Sequence, residues 1–159
     1  MKIQLTDTVK FLQKAAIIHE GKVLILKRSD QSVSRPRAWD LPGGNAEWPK
    51  AASPMSNVHR TDIVREIMEE TGWSIDPAVF TDENLVHFST YFDPAQSQYA
   101  FICGWRVIAP TGFDPSTLKL SHEHTAHAWI LLSELNKYDF IEPAGAFIKE
   151  IIRNALQRK

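Results

Sequence analysis

Residues 65–73 read Arg65-Glu66-Ile67-Met68-Glu69-Glu70-Thr71-Gly72-Trp73, and a Gly43-Gly44 pair lies upstream of them. This segment constrains the chain more than any other. At helical spacing Glu66, Glu69 and Glu70 share one face. Like charges so placed destabilise a helix by roughly 0.2–0.5 kcal/mol per pair. A fold that keeps such a cluster has to bring a cation to it. Oxygen-only ligands favour Mg²⁺ or Mn²⁺ over zinc.

The helix carrying these glutamates is expected from Asn57 or Val58 to Thr71. Ile63, Ile67 and Val64 supply its apolar stripe and the glutamates face elsewhere. Asn57 has the chemistry of an N-cap, and Gly72 stands where a left-handed residue ends a helix. Before it, residues 14–19 and 22–28 are β-rich runs joined by Glu20-Gly21, a hairpin signal. Residues 29–38 read as a polar loop and 39–44 as a Pro/Gly turn. Residues 47–57, with Pro49 and Pro54, read as an extended loop. After the helix, residues 84–92 and 98–108 form a second strand pair and 127–132 a short strand. Residues 143–157 then form an amphipathic helix through Phe147, Ile148, Ile151, Ile152 and Leu156. Strands, a helix, more strands and a closing helix predict an α/β fold, a mixed sheet covered by helices.

The 159 residues suit one domain, 43% apolar and 23% charged. Eighteen basic residues face nineteen acidic ones, so no global field draws the chain to a nucleic-acid polymer or an anionic membrane. The single cysteine, Cys103, lies in an apolar strand and reads as core; without a disulfide, a cytoplasmic setting is the default. Residues 1–10 carry no leader pattern, and no run reaches the ~18 apolar residues of a membrane span. His122, His124 and His127 lack a standard zinc spacing, and His124 reads as a loop residue near the substrate. Trp105 and Trp129 fall in apolar strands and read as core.

The nine residues from Arg65 to Trp73, after Trp39-Asp40-Leu41-Pro42-Gly43-Gly44, resemble the second half of the Nudix signature of the MutT-type pyrophosphohydrolases. Glu123-His124 ahead of Trp129-Ile130 is similar to a further segment of that family. The resemblance implies a Nudix-type α/β/α sandwich. The first half of the signature departs: counted back from Arg65, Asn57 stands where the family has Glu, and Ala51 where it has Gly. The register from Gly44 is recovered if the loop within residues 48–56 holds an insertion of about seven residues.

The resemblance implies hydrolysis of a pyrophosphate bond in a nucleoside triphosphate, such as an oxidised one, or in another nucleoside diphosphate-linked substrate. The cofactor implied is Mg²⁺ or Mn²⁺, and the partner is a small nucleotide, acted on by a monomer or homodimer. The implied metal ligands are Glu66, Glu69, Glu70 and Glu123 with a backbone carbonyl of Gly43 or Gly44, here placed at Gly44. Arg65 orients a ligand carboxylate, and Glu69, Glu70 or Glu123 acts as base. Substrate contacts are expected from Gly43, Glu47, Arg28, Arg35 or Arg37, with Trp48, Tyr91 or Trp39 stacking on the base. Tyr91 lies eighteen residues past Trp73, near a tyrosine of the dinucleoside-polyphosphate branch. The proline of ADP-ribose members is missing at His87-Phe88-Ser89. The rival readings are a non-catalytic nucleotide sensor, a dinucleoside polyphosphate hydrolase and, disfavoured by a core Cys103, an isoprenoid diphosphate isomerase.

Overall fold

The computed structural model describes residues 9–158; the leader expectation falls largely on residues 1–8, outside them. One mixed sheet holds β1 (Val9–His19), β2 (Lys22–Arg28), β3 (Trp39–Asp40), β4 (Leu85–Asp93), β5 (Gln98–Ile108) and β6 (His124–Ile130). The order is β3-β2-β1-β5-β4, with β6 also on β2. β1 and β5 run parallel from Val9 beside Tyr99 to Ile18 beside Ile108, and the other pairs are antiparallel.

Helices α1 (His59–Thr71) and α2 (Ala144–Gln157) cover opposite faces. Side chains alternate across a strand. Ala15, Ile17, Leu24, Leu26, Cys103, Trp105 and Val107 therefore meet Ile63 and Ile67 of α1 on one face. Ala16, Ile18, Val23 and Ile25 meet Ile148, Ile151, Ile152 and Ala155 of α2 on the other. A sheet buried on both faces explains why its strands read as continuous apolar runs. This is the α/β/α sandwich expected from the sequence, and Cys103 is buried as expected.

Glu20 and Gly21 both take positive φ, 49° and 73°, as a tight two-residue hairpin turn requires. Gly72 closes α1 with φ 74° and donates its N–H to the Met68 carbonyl at 2.9 Å. Other boundaries differ from expectation. β1 begins at Val9, five residues before residue 14, because pairing with β5 outweighs its polar side chains. β6 spans His124–Ile130 and not 127–132, since its partner β2 ends with Arg28 beside His124. Trp39-Asp40, read as turn, is a short strand on β2. Asn57 is not the N-cap: it sits at φ 56°, and Val58 precedes α1 in helical conformation without a side-chain cap bond. Trp105 is buried, whereas Trp129 is half-buried on the rim of the α1-side core.

One local feature positions everything that follows. Ile18 and His19 of β1 pair with β2, and beyond that point the two strands part. Segment 38–46 enters between them. It pairs with β2 through Trp39 and Asp40 and with β1 through Ala15 N–H to Pro42 O (2.8 Å), Gln13 N–H to Gly44 O (2.9 Å) and Ala46 N–H to Phe11 O (2.8 Å). Gly43 lies so close to β1, at φ 135°, that a Cβ there would collide with the Gln13 carbonyl.

Gly104 in β5 faces Ile151, and a Cβ at this position would overlap the Ile151 side chain. Gly104→Ala should therefore lower stability by about 1–3 kcal/mol, measured by urea unfolding. Ile151→Ala alone should cost about 2–5 kcal/mol. The double variant should cost less than the two added together; strict additivity would show that the two side chains do not compete for one space.

Candidate active site

Segment 38–46 carries a buried carboxylate into the gap between β1 and β2. Asp40 is 1% exposed. Its Oδ1 is ion-paired with Lys14 Nζ (3.0 Å) and accepts the Leu41 N–H (2.8 Å). Its Oδ2 accepts from Arg35 Nη2 (2.6 Å) and Arg28 Nη1 (3.4 Å). Burial alone would raise its pKa, but the charges of Lys14 and Arg35 hold it below the ordinary carboxylate value. Arg35 also donates to the Phe140 carbonyl at 3.0 Å, and Arg28 Nε to the Ser34 carbonyl at 3.0 Å. Two of the arginines expected at the phosphates are thus committed first to this carboxylate. The third, Arg37, is exposed and does not line the cleft.

α1 meets the glycine turn through its glutamates. Glu70 is 6% exposed, and its Oε2 accepts the Gly43 N–H at 2.7 Å. Burial pushes its pKa up to about 8, against the pull of Lys14 and the Gly43 hydrogen bond. Glu66 packs on Gly44, where a Cβ would stand 2.6 Å from the carboxylate and would push it aside. Burial raises the Glu66 pKa as well. Glu69 does not join them: it is exposed and accepts from Arg65 Nη1 at 3.1 Å. The expected common face of three glutamates is thus split, with Glu70 drawn inward and Glu69 outward.

Arg65 lies along the row of acids. Its Nη2 stands 2.9 Å from Glu66 Oε1 and 3.6 Å from both Glu47 Oε1 and Asp62 Oδ1. These are ionic contacts, and Nη2 has no aligned hydrogen-bond partner among the described residues. Glu66 and Glu69 raise the Arg65 pKa despite its burial.

Around this end opens a cleft of about 600 Å³, a size common for small-molecule sites. Lys10, Leu12 and Lys14 of β1, Ala100 and Ile102 of β5 and Tyr91 of β4 form its floor, and Phe147 of α2 one wall. Gly43, Gly44, Glu47, Glu66, Glu70, Glu123, Arg28 and Arg35 also line it. The expected residues Tyr91, Glu47 and Glu123 are therefore brought to the glutamates. Trp48 is not: it is 93% exposed and borders a separate shallow hollow beside Val9 and Phe11. Trp39 is half-buried, edge-on to Tyr138 at 5.0 Å. The Gly44 carbonyl already accepts from Gln13 N–H, so it faces β1 and not the glutamates. His124 is buried at the start of β6 with Nε2 3.8 Å from Glu70, not in a loop; burial and Lys14 push its pKa down to about 4.

Sequence reasoning missed Lys14, Asp40, Lys10 and Phe147. Charged residues inside otherwise apolar strand runs were the available signal for the first two. Among the described residues no group of three His, Cys, Asp or Glu side chains forms a metal cage. The donor chemistry still fits a hard divalent cation. Glu66 and Glu70 are oxygen donors in a cleft, and burial raises the pKa of both. Mg²⁺ needs only one or two carboxylates when water and substrate phosphates complete its shell.

A NUDIX domain family model matches residues 14–152. No curated protein matches the sequence. Several solved structures share the fold. A MutT NUDIX hydrolase from Burkholderia pseudomallei is 21% identical with a TM-score of 0.65, over 93% of this chain and 98% of that one. The E. coli ORF135 protein is 25% identical with a TM-score of 0.64, over 92% and 89%. A bifunctional NMN adenylyltransferase/ADP ribose pyrophosphatase from Francisella tularensis, complexed with AMP and a Mn ion, is 16% identical with a TM-score of 0.60, over 92% of this chain and 42% of that one. Since the matched stretch takes in the glycine turn, the glutamate helix and both layers that cover the sheet, the chain belongs to the NUDIX domain family.

Proposed function

We propose that this Nudix hydrolase cleaves the pyrophosphate bond of a nucleoside triphosphate or another nucleoside diphosphate-linked substrate, with Mg²⁺ or Mn²⁺ as cofactor. One observation carries the reading: Glu66 and Glu70 converge with the Gly43-Gly44 turn at one end of a nucleotide-sized cleft. The similar structure from Francisella tularensis, complexed with AMP and a Mn ion, supports it by analogy of fold.

Glu66, Glu70 and Glu123 would hold the divalent ion. When bound, it neutralises phosphate charge and makes water more acidic. Arg65, held by Glu69, keeps the Glu66 carboxylate in place. Arg28 and Lys10 border the cleft and offer positive charge to phosphate oxygens. Tyr91 and Phe147 offer aromatic faces to the base. In the step itself, water oxygen bonds to phosphorus and the bond from phosphorus to the bridging oxygen breaks. The proton from water passes to Glu70 or Glu123, the two expected bases that line the cleft. The irregular segment 46–58 reaches the rim through Glu47, which supports reading it as an insertion that sets substrate choice.

Glu66→Gln and Glu70→Gln should each lower kcat by about 10²–10⁴ with the fold intact by circular dichroism. Wild-type turnover of nucleoside triphosphates in both would refute the assignment.

A pH dependence follows from Glu70. Its pKa in the folded protein, about 8, exceeds its ordinary value of 4.5. The stability this group contributes is present below the ordinary value and is lost as pH rises through about 8. Metal-free wild type should therefore lose several degrees of Tm toward pH ~8.5 that Glu70→Gln keeps. Millimolar Mg²⁺ should raise the wild-type Tm more at that pH than near pH 6. Equal Mg²⁺ shifts in wild type and Glu70→Gln would remove Glu70 from the metal site.

A further inference from the structure

The carbonyls of the glycine turn alternate in direction. Those of Pro42 and Gly44 are taken by backbone amides of β1, at 2.8 and 2.9 Å. Those of Leu41 and Gly43 meet a single side chain, Lys14, at 3.2 and 3.4 Å. An ammonium has three N–H donors. Asp40 stands 3.0 Å from the same ammonium as an ion pair. Lys14 is 4% exposed, and all three of these partners belong to the fold.

We propose that Lys14 is a positioning residue for the hydrolytic site: by tying down the Leu41 and Gly43 carbonyls it holds the Gly43 N–H on the Glu70 carboxylate. The inference rests on the reading of Glu70 given under the proposed function. Three observations support it. Asp40 also has Arg28 and Arg35 as partners, so the lysine is not required merely to neutralise it. The backbone amides of β1 fix one side of the turn only, and Lys14 supplies the other. Finally, the two carbonyls it caps flank the Gly43 amide, whose 2.7 Å bond to Glu70 Oε2 is the contact the turn makes with that carboxylate. With an apolar side chain at 14, both carbonyls would lose a partner in a buried place, and the turn would relax to find others.

The test uses Lys14→Met, which keeps length but has no donor, and Lys14→Gln, which keeps two N–H donors without charge. The Gly43 amide is followed by ¹⁵N NMR and hydrogen exchange in metal-free protein, and kcat and KM with nucleoside triphosphates and Mg²⁺. Lys14→Met should speed Gly43 exchange at least about tenfold, shift its proton signal upfield, and lower kcat at least about tenfold with KM changed less than about threefold. Lys14→Gln should fall between Lys14→Met and wild type; it carries the test if Lys14→Met does not fold. An unchanged Gly43 amide would overturn the proposal. So would a raised KM with wild-type kcat, which would mean that the ammonium touches substrate. If wild type hydrolyses no nucleotide, the functional reading fails, while the Gly43 amide still decides whether Lys14 holds the turn.

Discussion

A carboxylate taken out of water between two parting strands is the constraint on which the site depends. Asp40 is compensated by Lys14, Arg28 and Arg35, which come from β1, the end of β2 and the loop after it. Desolvating such a group costs several kcal/mol, and well-packed apolar residues often do as well for stability. The value of the arrangement lies in its geometry. It brings the end of β2, the following loop and β1 to one point, and Leu41–Gly44 leaves that point in a single direction. The glycines then lie against β1 on one side and against Glu66 and Glu70 on the other. Gln13 works in the same way on the opposite face of β1: it donates to the His59 carbonyl at the start of α1 (3.0 Å) and accepts from the Trp105 indole (3.0 Å). Adjacent polar residues of one strand thus fix the turn and the helix that must meet it.

The sandwich was legible because its signals are local. Apolar runs, a Glu-Gly turn and a helix closed by glycine each follow from a few neighbouring residues. The split of the glutamates was legible too, though the charge pattern hides it. At 100° per residue, Glu70 lies only about 20° from Ile63 around the helix, while Glu69 lies about 120° from it. Ile63 is fully buried, so Glu70 had to be drawn inward and Glu69 left outside. The partners of the cleft were harder to read. Tyr91 joins it from the edge strand β4 and Phe147 from α2, which covers one face of the sheet, and no spacing near the glutamates reports that. Asn57 misled for the opposite reason. Its cap chemistry is local and real, but the backbone there is left-handed and α1 begins two residues later.

The cleft is also electrically divided. Glu66, Glu70 and Glu123 line it together with Lys10, Lys14, Arg28 and Arg35, and Lys14 is already spent on Asp40 and the turn. Burial pushes Glu70 toward its neutral form, and burial with the neighbouring Lys14 lowers the pKa of Lys10. A divalent cation answers only the carboxylates, and a polyphosphate answers only the cationic groups. A polyphosphate carrying its cation answers both at once. Under the proposed function each partner would then relieve the repulsion the other meets, a positive coupling between two ligands sharing one site. The fixed glycine turn gives that coupling its place, because it is where the carboxylates and the cations of β1 come within reach of one another.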